Sequence, residues 1–333
     1  MSDLRLDPIN GQWVAIAKNR IQRPMEFVPM EQRRQQLLCP FCKGNEEQTP
    51  DALALYDQEG SILEEQKPWS VRVVPNKYPS FSKNGKMDQP CSSGPPEFCS
   101  SNSGHGTQEL IIPSPRHIAS ISELTDTELR LAFQVAQERI NYLRTADDVQ
   151  HAMLFMNCRF AAGASLSHIH LQLIGSPVVS SHLRSRVERD QAHRQQHGCS
   201  LIESLMNWEI EQAQRVVELT DEFCVVCPYA SRCPFQVRII PRNTGSGFLD
   251  LSSDAITELA LHCKTVVTKL ESHLQEPAYN LLLHLDPFAN EQGNWFVELL
   301  PRLTKGAGFE LGTDIWVNPV PPESAAEQLK SEQ

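Results

Sequence analysis

No stretch of this 333-residue sequence approaches the roughly 18 consecutive apolar residues that a membrane-spanning helix requires. Its N-terminal end carries no apolar core of a secretory leader either, so no membrane partner is expected and a cytoplasmic location is. Positive charge is in deficit: 30 Lys and Arg stand against 41 Asp and Glu, a formal net charge of -11, with a pI near 5.5. That balance, without a basic stripe interleaved with aromatic residues, argues against a nucleic-acid-binding face, and any anion site must be local. Ten cysteines are too sparse for a disulfide scaffold in a chain of this size, so close pairs among them are read as metal candidates. The length suffices for a large core and two domain-sized units.

Against these absences stands one dense segment, Gly163-Ala164-Ser165-Leu166-Ser167-His168-Ile169-His170-Leu171-Gln172-Leu173. Polar and apolar residues alternate through its second half, which is the pattern of a strand. On a strand, His168, His170 and Gln172 share one face at spacings of about 6–7 Å, while Ile169, Leu171 and Leu173 pack behind them. An imidazole can bind a metal or attack phosphorus, and a glutamine can bond a phosphoryl oxygen. A histidine on an apolar strand is more often a satisfied core residue; two of them with a glutamine on one face, after Gly-Ala-Ser, favour a reaction site.

The first 76 residues are strand-poor by pattern and rich in turns, and the Pro-, Ser-, Gly- and Asn-rich stretch over 80–106 reads as a loop. A strand over 108–112, a turn ending at His117 and a helix over 125–143 follow, and the apolar run 152–157 reads as the neighbour of the histidine strand. This order recurs. Val237-Arg-Ile-Ile-Pro241 resembles Glu109-Leu-Ile-Ile-Pro113, the helix over 254–270 answers 126–143, the strand over 280–285 answers 153–157, and 294–299 answers 168–173. In the second copy Asn294 and Phe296 stand where His168 and His170 stand, so one half is reactive and the other is kept for shape, substrate contact or dimer contact. The expected fold class is α+β: two tandem half-barrel-like units sharing one continuous, mainly antiparallel sheet with flanking helices. The units span 1–178 and 220–333, and the charged stretch 179–219 reads as a solvated connecting helix.

Cys39-Pro-Phe-Cys42 can clasp one ion from a tight turn, but a tetrahedral site needs two more ligands. His117 and His168 are the natural candidates, and such a site would staple the N-terminal arm to the reactive strand. Cys224-Val-Val-Cys227 lacks a following His pair and reads as buried thiols in a strand. The small residues around Ser165 let backbone approach a phosphate. Arg20 and Arg23 carry the forked donors that a diphosphate accepts, although a solvated basic loop explains them equally well.

These pieces, with Val74-Pro-Asn76-Lys-Tyr78-Pro79, Ser114-Pro-Arg-His117, Asn157, Gly308-Phe-Glu310-Leu-Gly312-Thr313 and Asn318-Pro-Val-Pro-Pro-Glu323, occur in an order that resembles the galactose-1-phosphate uridylyltransferase family. That family is a branch of the histidine triad superfamily and includes ADP-glucose phosphorylase. The resemblance implies two histidine-triad-like units and His170 as nucleophile toward the α-phosphorus of a nucleotide sugar. It implies a nucleotidylyl-histidine intermediate with ping-pong exchange between UDP-glucose and a hexose 1-phosphate, as in galactose metabolism. It also implies phosphate contacts at Asn157, Ser165 and Gln172, with Arg20 and Arg23 nearby, nucleoside contacts at Asn76 and Tyr78, and a sugar contact at Glu310. One structural Zn2+ on Cys39, Cys42, His117 and His168, and a homodimer, complete the implied picture. Phosphorolysis of an ADP- or other NDP-sugar is the alternative activity, and a zinc-stabilised nucleotide-binding protein without turnover the remaining one. Two departures stand out: Asn294 and Phe296 replace a second His-x-His, implying no second metal through those positions, and Asp314 follows Thr313 where a small residue is commoner.

Overall fold

The computed structural model describes residues 3–16, 39–64, 68–81, 83, 104–146, 148–290 and 294–330. Arg20 and Arg23 lie outside the described residues, as does most of the loop expected over 80–106.

Among the described residues the chain runs through β1 (Asp3–Leu6), β2 (Trp13–Ile16), β3 (Ala54–Tyr56), β4 (Val71–Pro75), β5 (Thr107–Ile112), α1 (Asp126–Arg144), β6 (His151–Cys158) and β7 (Leu171–Ser176). Two helices follow, α2 (Ser181–His197) and α3 (Leu201–Gln212), then β8 (Val216–Leu219), β9 (Phe223–Val226), β10 (Val237–Pro241), α4 (Ser253–His273), β11 (Tyr279–Leu285) and β12 (Trp295–Pro301). The chain closes with α5 (Gly308–Thr313), β13 (Trp316–Asn318) and α6 (Pro322–Lys330).

Ten strands form one sheet in the order β3-β4-β5-β7-β6-β11-β12-β10-β9-β8. Every neighbouring pair in it is antiparallel. Read from either end the order has the same form, with β6 and β11 meeting in the middle. The registers carry the repeat. Leu154 pairs with Leu173 in the first half and Leu281 with Leu299 in the second, so the strands correspond at offsets of 281 − 154 = 127 and 299 − 173 = 126. Those are the offsets read from the sequence. Strands β1, β2 and β13 make a separate sheet of three.

The helices form where the apolar spacing and caps require. Thr125 caps α1 in a reciprocal box with Glu128, and Leu129, Phe133, Ala136, Ile140 and Leu143 form its buried stripe. Ser252 caps α4 through the Ala255 amide. Both helices lie on one face of the ten-stranded sheet, over a single core that includes Ile169, Leu171 and Leu173. The opposite face carries two smaller clusters, one of Cys39, Phe41, Trp69, Val74, Leu110 and Ile112 over the first half, the other of Ile9, Ile202, Met206, Cys224, Val226, Ile240 and Phe296 over the second. At about 25 cal/mol per Å2 of apolar surface, the two-sided burial of this sheet is the main term holding the halves together.

Three expectations need correction. The N-terminal 76 residues are not strand-poor: they contribute β1, β2, β3 and β4, each of three to five residues and too short to show alternation. The ladder of the histidine strand begins at Leu171, paired with Met156, because the preceding chain leaves the sheet; there the Ile169 amide bonds to Ile118 O at 2.7 Å. The stretch 179–219 is not one solvated helix. It is a pair of helices ending in β8, and α2 buries Arg186 and Asp190. Its charged composition hides an inward-facing polar stripe, because Arg186 bonds Asp286 at 2.9 Å.

Candidate active site and metal centre

Cys39 and Cys42 sit on a tight turn closed by the Cys42 amide to Cys39 O at 3.2 Å. The turn is tied down by Asn45 Nδ2 to Cys39 O at 2.9 Å and by Arg72 Nη2 to Pro40 O at 3.0 Å. Cys39 Sγ lies 3.5 Å from His168 Nδ1, and Cys42 Sγ lies 3.3 Å from His117 Nδ1 and 3.6 Å from His168 Nδ1. One donor atom from each of these four residues falls within 4.8 Å of all the others. A tetrahedral zinc bound by two sulfurs and two nitrogens sets its ligand atoms about 3.3–3.8 Å apart, so the donor set fits such an ion.

The outer nitrogens are fixed as metal ligands require. His168 Nε2 is 3.1 Å from Ser114 O and His117 Nε2 is 3.1 Å from Ser167 Oγ. The carbonyl accepts only, so His168 carries its proton on Nε2 and turns the Nδ1 lone pair to the thiols. Burial, with His117 alongside, pushes the His168 pKa down to about 4. Burial and the neighbouring Cys39 push the Cys42 thiol up to about 11. Two thiolates this close need a cation between them, and the donor chemistry supplies the place for one.

His170 is 5 % exposed, on the site face of the sheet. Its Nδ1 lies 2.9 Å from His168 O and therefore carries the proton, leaving the Nε2 lone pair free. Burial lowers its pKa, partly opposed by that hydrogen bond, and keeps the ring neutral. Phe41, from the middle of the Cys39–Cys42 turn, meets the His168 and His170 rings edge-on at 5.9 and 5.0 Å. Along the face lie Gln172, whose Oε1 accepts from Gln108 Nε2 at 3.2 Å, and Asn157, whose Oδ1 accepts from Asn280 Nδ2 at 2.8 Å. Asn157 stands one residue beyond the Met156–Leu171 pair that ends the ladder, on the same face as Gln172, whose partner Phe155 lies two residues earlier on β6. Ser165 is exposed in the loop that links Asn157 to the histidines, and Gly163 turns that loop with φ +91. Asn76 bonds Gln108 O through its amide, and its side chain accepts from the Tyr78 amide; Tyr78 itself is 82 % exposed.

The corresponding face of the second half is closed. Phe296, at the position of His170, is buried and stacked on His284 at 4.5 Å, with the Arg238 guanidinium 5.3 Å from its ring centroid. Asn294 accepts from Arg194 at 3.1 Å. Glu298, at the position of Gln172, is fully buried and takes bonds from Arg232, Gln236, Arg238 and His284. Burial alone would raise its pKa, but Arg232 and Arg238 hold it well below the carboxylate range.

Residues 1–180 match the N-terminal domain of galactose-1-phosphate uridyl transferase, and residues 186–303 match its C-terminal domain. The chain belongs to the galactose-1-phosphate uridyl transferase family. It is similar to ADP-glucose phosphorylase of Arabidopsis thaliana, 29 % identical over 98 % of this chain and 92 % of that one. It is also similar to galactose-1-phosphate uridylyltransferase of Thermotoga maritima, 26 % identical over 99 % of this chain and 98 % of that one. A crystal structure of an Arabidopsis thaliana ADP-glucose phosphorylase with bound ADP-glucose superposes with a TM-score of 0.83 at 26 % identity, covering 100 % of both chains. Membership makes this chain an enzyme, a nucleotidyltransferase by class.

In this uridyl transferase family member the fold gathers Cys39, Cys42, His117, His168, His170, Gln172 and Asn157 on one face, with Asn76 tied to Gln108 beside them. Glu310 is half-buried on α5, where its carboxylate accepts from the Ala307 amide and caps its own helix. Asp314 takes a left-handed conformation at φ 58 and accepts from Gln12 Nε2 and Trp316 Nε1, which ties α5 to the three-stranded sheet. Sequence reading missed Phe41, Gln108 and Asn280. Phe41 was the one apolar residue inside the Cys-x-x-Cys turn; the two amides gave no signal, because their partners lie 64 and 123 residues away.

Proposed function

We propose that this enzyme is a UDP-glucose–hexose-1-phosphate uridylyltransferase working by double displacement through His170. The observation that carries the reading is the His170 ring itself: Nδ1–H is anchored on His168 O, which leaves the lone pair on Nε2. Nε2 attacks the α-phosphorus of the nucleotide sugar, the P–O bond to the sugar 1-phosphate breaks, and the nucleotide rests on His170. The imidazolium formed keeps its Nδ1 proton against the His168 carbonyl, which stabilises the charge. A hexose 1-phosphate oxygen then attacks the same phosphorus and His170 leaves as neutral imidazole. Two displacements at one centre let one set of phosphate contacts serve both directions. Asn157, Ser165 and Gln172 contact the phosphates together with Arg20 and Arg23, Asn76 and Tyr78 contact the nucleoside, and Glu310 contacts the sugar.

Zinc is the metal of this reading, held by Cys39, Cys42, His117 and His168. When bound it neutralises two thiolates and fixes the turn that carries Phe41 against His170. A homodimer and a cytoplasmic location belong to the same reading. Phosphorolysis of ADP-glucose is the second reading, favoured by the similarity to the Arabidopsis thaliana phosphorylase at a TM-score of 0.83. Intact-protein mass spectrometry tests both. A UMP adduct from UDP-glucose, absent in His170→Asn and discharged by galactose 1-phosphate, supports the first; an AMP adduct discharged by inorganic phosphate supports the second. No adduct from either nucleotide sugar sinks the covalent mechanism.

A further inference from the structure

Two side-chain amides flank His170, and each has its oxygen already engaged by the protein. Asn280 Nδ2 donates to the Ala162 carbonyl at 2.8 Å and to Asn157 Oδ1 at 2.8 Å. A backbone carbonyl can only accept, so the atom facing it must be the Asn280 nitrogen. That same nitrogen meets Asn157, which must therefore present its oxygen and turn its NH2 away. The NH2 points toward the Gly163 loop, where a Cβ built on Gly163 would lie 3.7 Å from Asn157 Nδ2.

The other amide is fixed from the opposite side. The Ser80 backbone N–H donates to Gln108 Oε1 at 2.8 Å. A backbone amide can only donate, so the Gln108 nitrogen is left to face Gln172, where it donates to Gln172 Oε1 at 3.2 Å. The orientation of each amide is thus set by a main-chain group of fixed polarity, the Ala162 carbonyl for Asn280 and the Ser80 N–H for Gln108.

We infer that Asn280 and Gln108 are positioning residues that set the polarity of Asn157 and Gln172, so that the two amides offer only N–H groups to an anion beside His170. The inference rests on the proposed nucleotidyl transfer, in which the reacting phosphoryl group has only acceptor oxygens. An amide free to rotate would present its carbonyl part of the time and repel that group. A locked donor needs no reorganisation when charge develops. Asn280 also gives the second half a share in the chemistry of the first. It sits on β11, across from Asn157 on β6, at the seam where the two halves pair.

The test uses replacements of nearly equal shape that reverse the outer polarity. In Gln108→Glu one carboxylate oxygen still accepts from Ser80 and the other now requires the Gln172 NH2, turning its carbonyl to the site. Asn280→Asp also requires the Asn157 NH2, but it takes the donor from the Ala162 carbonyl as well, so its adduct rate is read against Asn280→Leu, which loses that same donor without reversing Asn157. Single-turnover adduct formation is measured with UDP-glucose and with ADP-glucose, beside melting temperature, in the wild-type, Gln172→Ala and Asn157→Ala backgrounds. Each reversal is expected to slow adduct formation roughly 100-fold, the scale of losing one preorganised donor. It should cost under about threefold once its partner amide is Ala, since coupled sites are not additive.

Gln108→Met, which removes the donor without reversing it, should lose about tenfold, between wild type and Gln108→Glu. Equal losses in both backgrounds, or Gln108→Glu no slower than Gln108→Met, would overturn the inference. If wild type forms no adduct, the transfer reading fails alone, and calorimetric titration with UDP-glucose and ADP-glucose must show the same ordering in Kd; no binding, or no such ordering, overturns the inference as well.

Discussion

The carboxylate of Asp7 lies 2.6 Å from the guanidinium of Arg238, 231 residues further along the chain. Arg238 is 1 % exposed and bonds Glu298 on its other side at 3.0 Å, so one buried cation joins the N-terminal turn to the sheet of the second half. Burial opposes its charge, but the two carboxylates raise its pKa further than burial lowers it. Asp7→Asn is expected to destabilise the fold by about 3–5 kcal/mol, the cost of leaving a buried charge short of a partner. Denaturant titration measures it, and a change below about 1 kcal/mol would show that Glu298 alone satisfies the arginine.

Metal removal should act on the N-terminal turn first. Purified protein is expected to carry about one zinc per chain, and chelation should lower its melting temperature, because metal binding contributes to folding free energy. Cys42→Ser should show the lower value without chelator and no further drop with it. An unchanged melting temperature after verified metal loss would count against a structural role for the ion.

Acid should weaken the fold through His151. Burial lowers its pKa from 6.5 to about 4, only partly offset by the bond to Leu285 O. Above 6.5 neither state carries the proton and the native advantage is complete; as pH falls from 6.5 toward 4 the unfolded chain is protonated first, and stability drains away. The loss from this group is on the order of 2–3 kcal/mol across that window. Melting curves between pH 7 and 4 for wild type and His151→Gln check it; the variant should show the shallower slope, and parallel curves would refute the assignment.

Gly106 has φ +156, and a Cβ there would fall 2.3 Å from Gly175 O. Gly106→Ala must push β5 away from β7, and should cost about 2–4 kcal/mol through the strain of overpacking. Gly44, at φ +90 with nothing within 4 Å, supplies the control: Gly44→Ala carries only the conformational penalty, about 1 kcal/mol. Equal losses in the two variants would mean that the strands part without resistance.

The two-copy plan was legible because local pattern carries it. Alternation marked β7, a short apolar run marked β6, helical spacing of apolar residues marked α1, and matching sequence marked their counterparts. The four candidate ligands were legible from donor chemistry, since two thiolates need further partners and His117 and His168 supply imidazoles. Short strands without alternation, such as β3 and β4, were not legible. Neither was the inward face of α2, since Arg186 is called a surface residue by its chemistry and buried only because Asp286 awaits it on a distant loop. The donors to Asn157 and Gln172 follow from tertiary pairing, which no local pattern encodes.

The palindromic strand order leaves the sheet with just two outer ladders, and both are poor templates for another chain. At one end β3 has three residues. At the other, β8 has four and slips register between Val216 and Glu218. Among the described residues the longest strands, β6, β11 and β12, lie in the interior with a neighbour on each side, while short or bulged ones stand at the margins. A wide antiparallel sheet is a standing invitation to edge-to-edge aggregation, and here the blunted margins withdraw it.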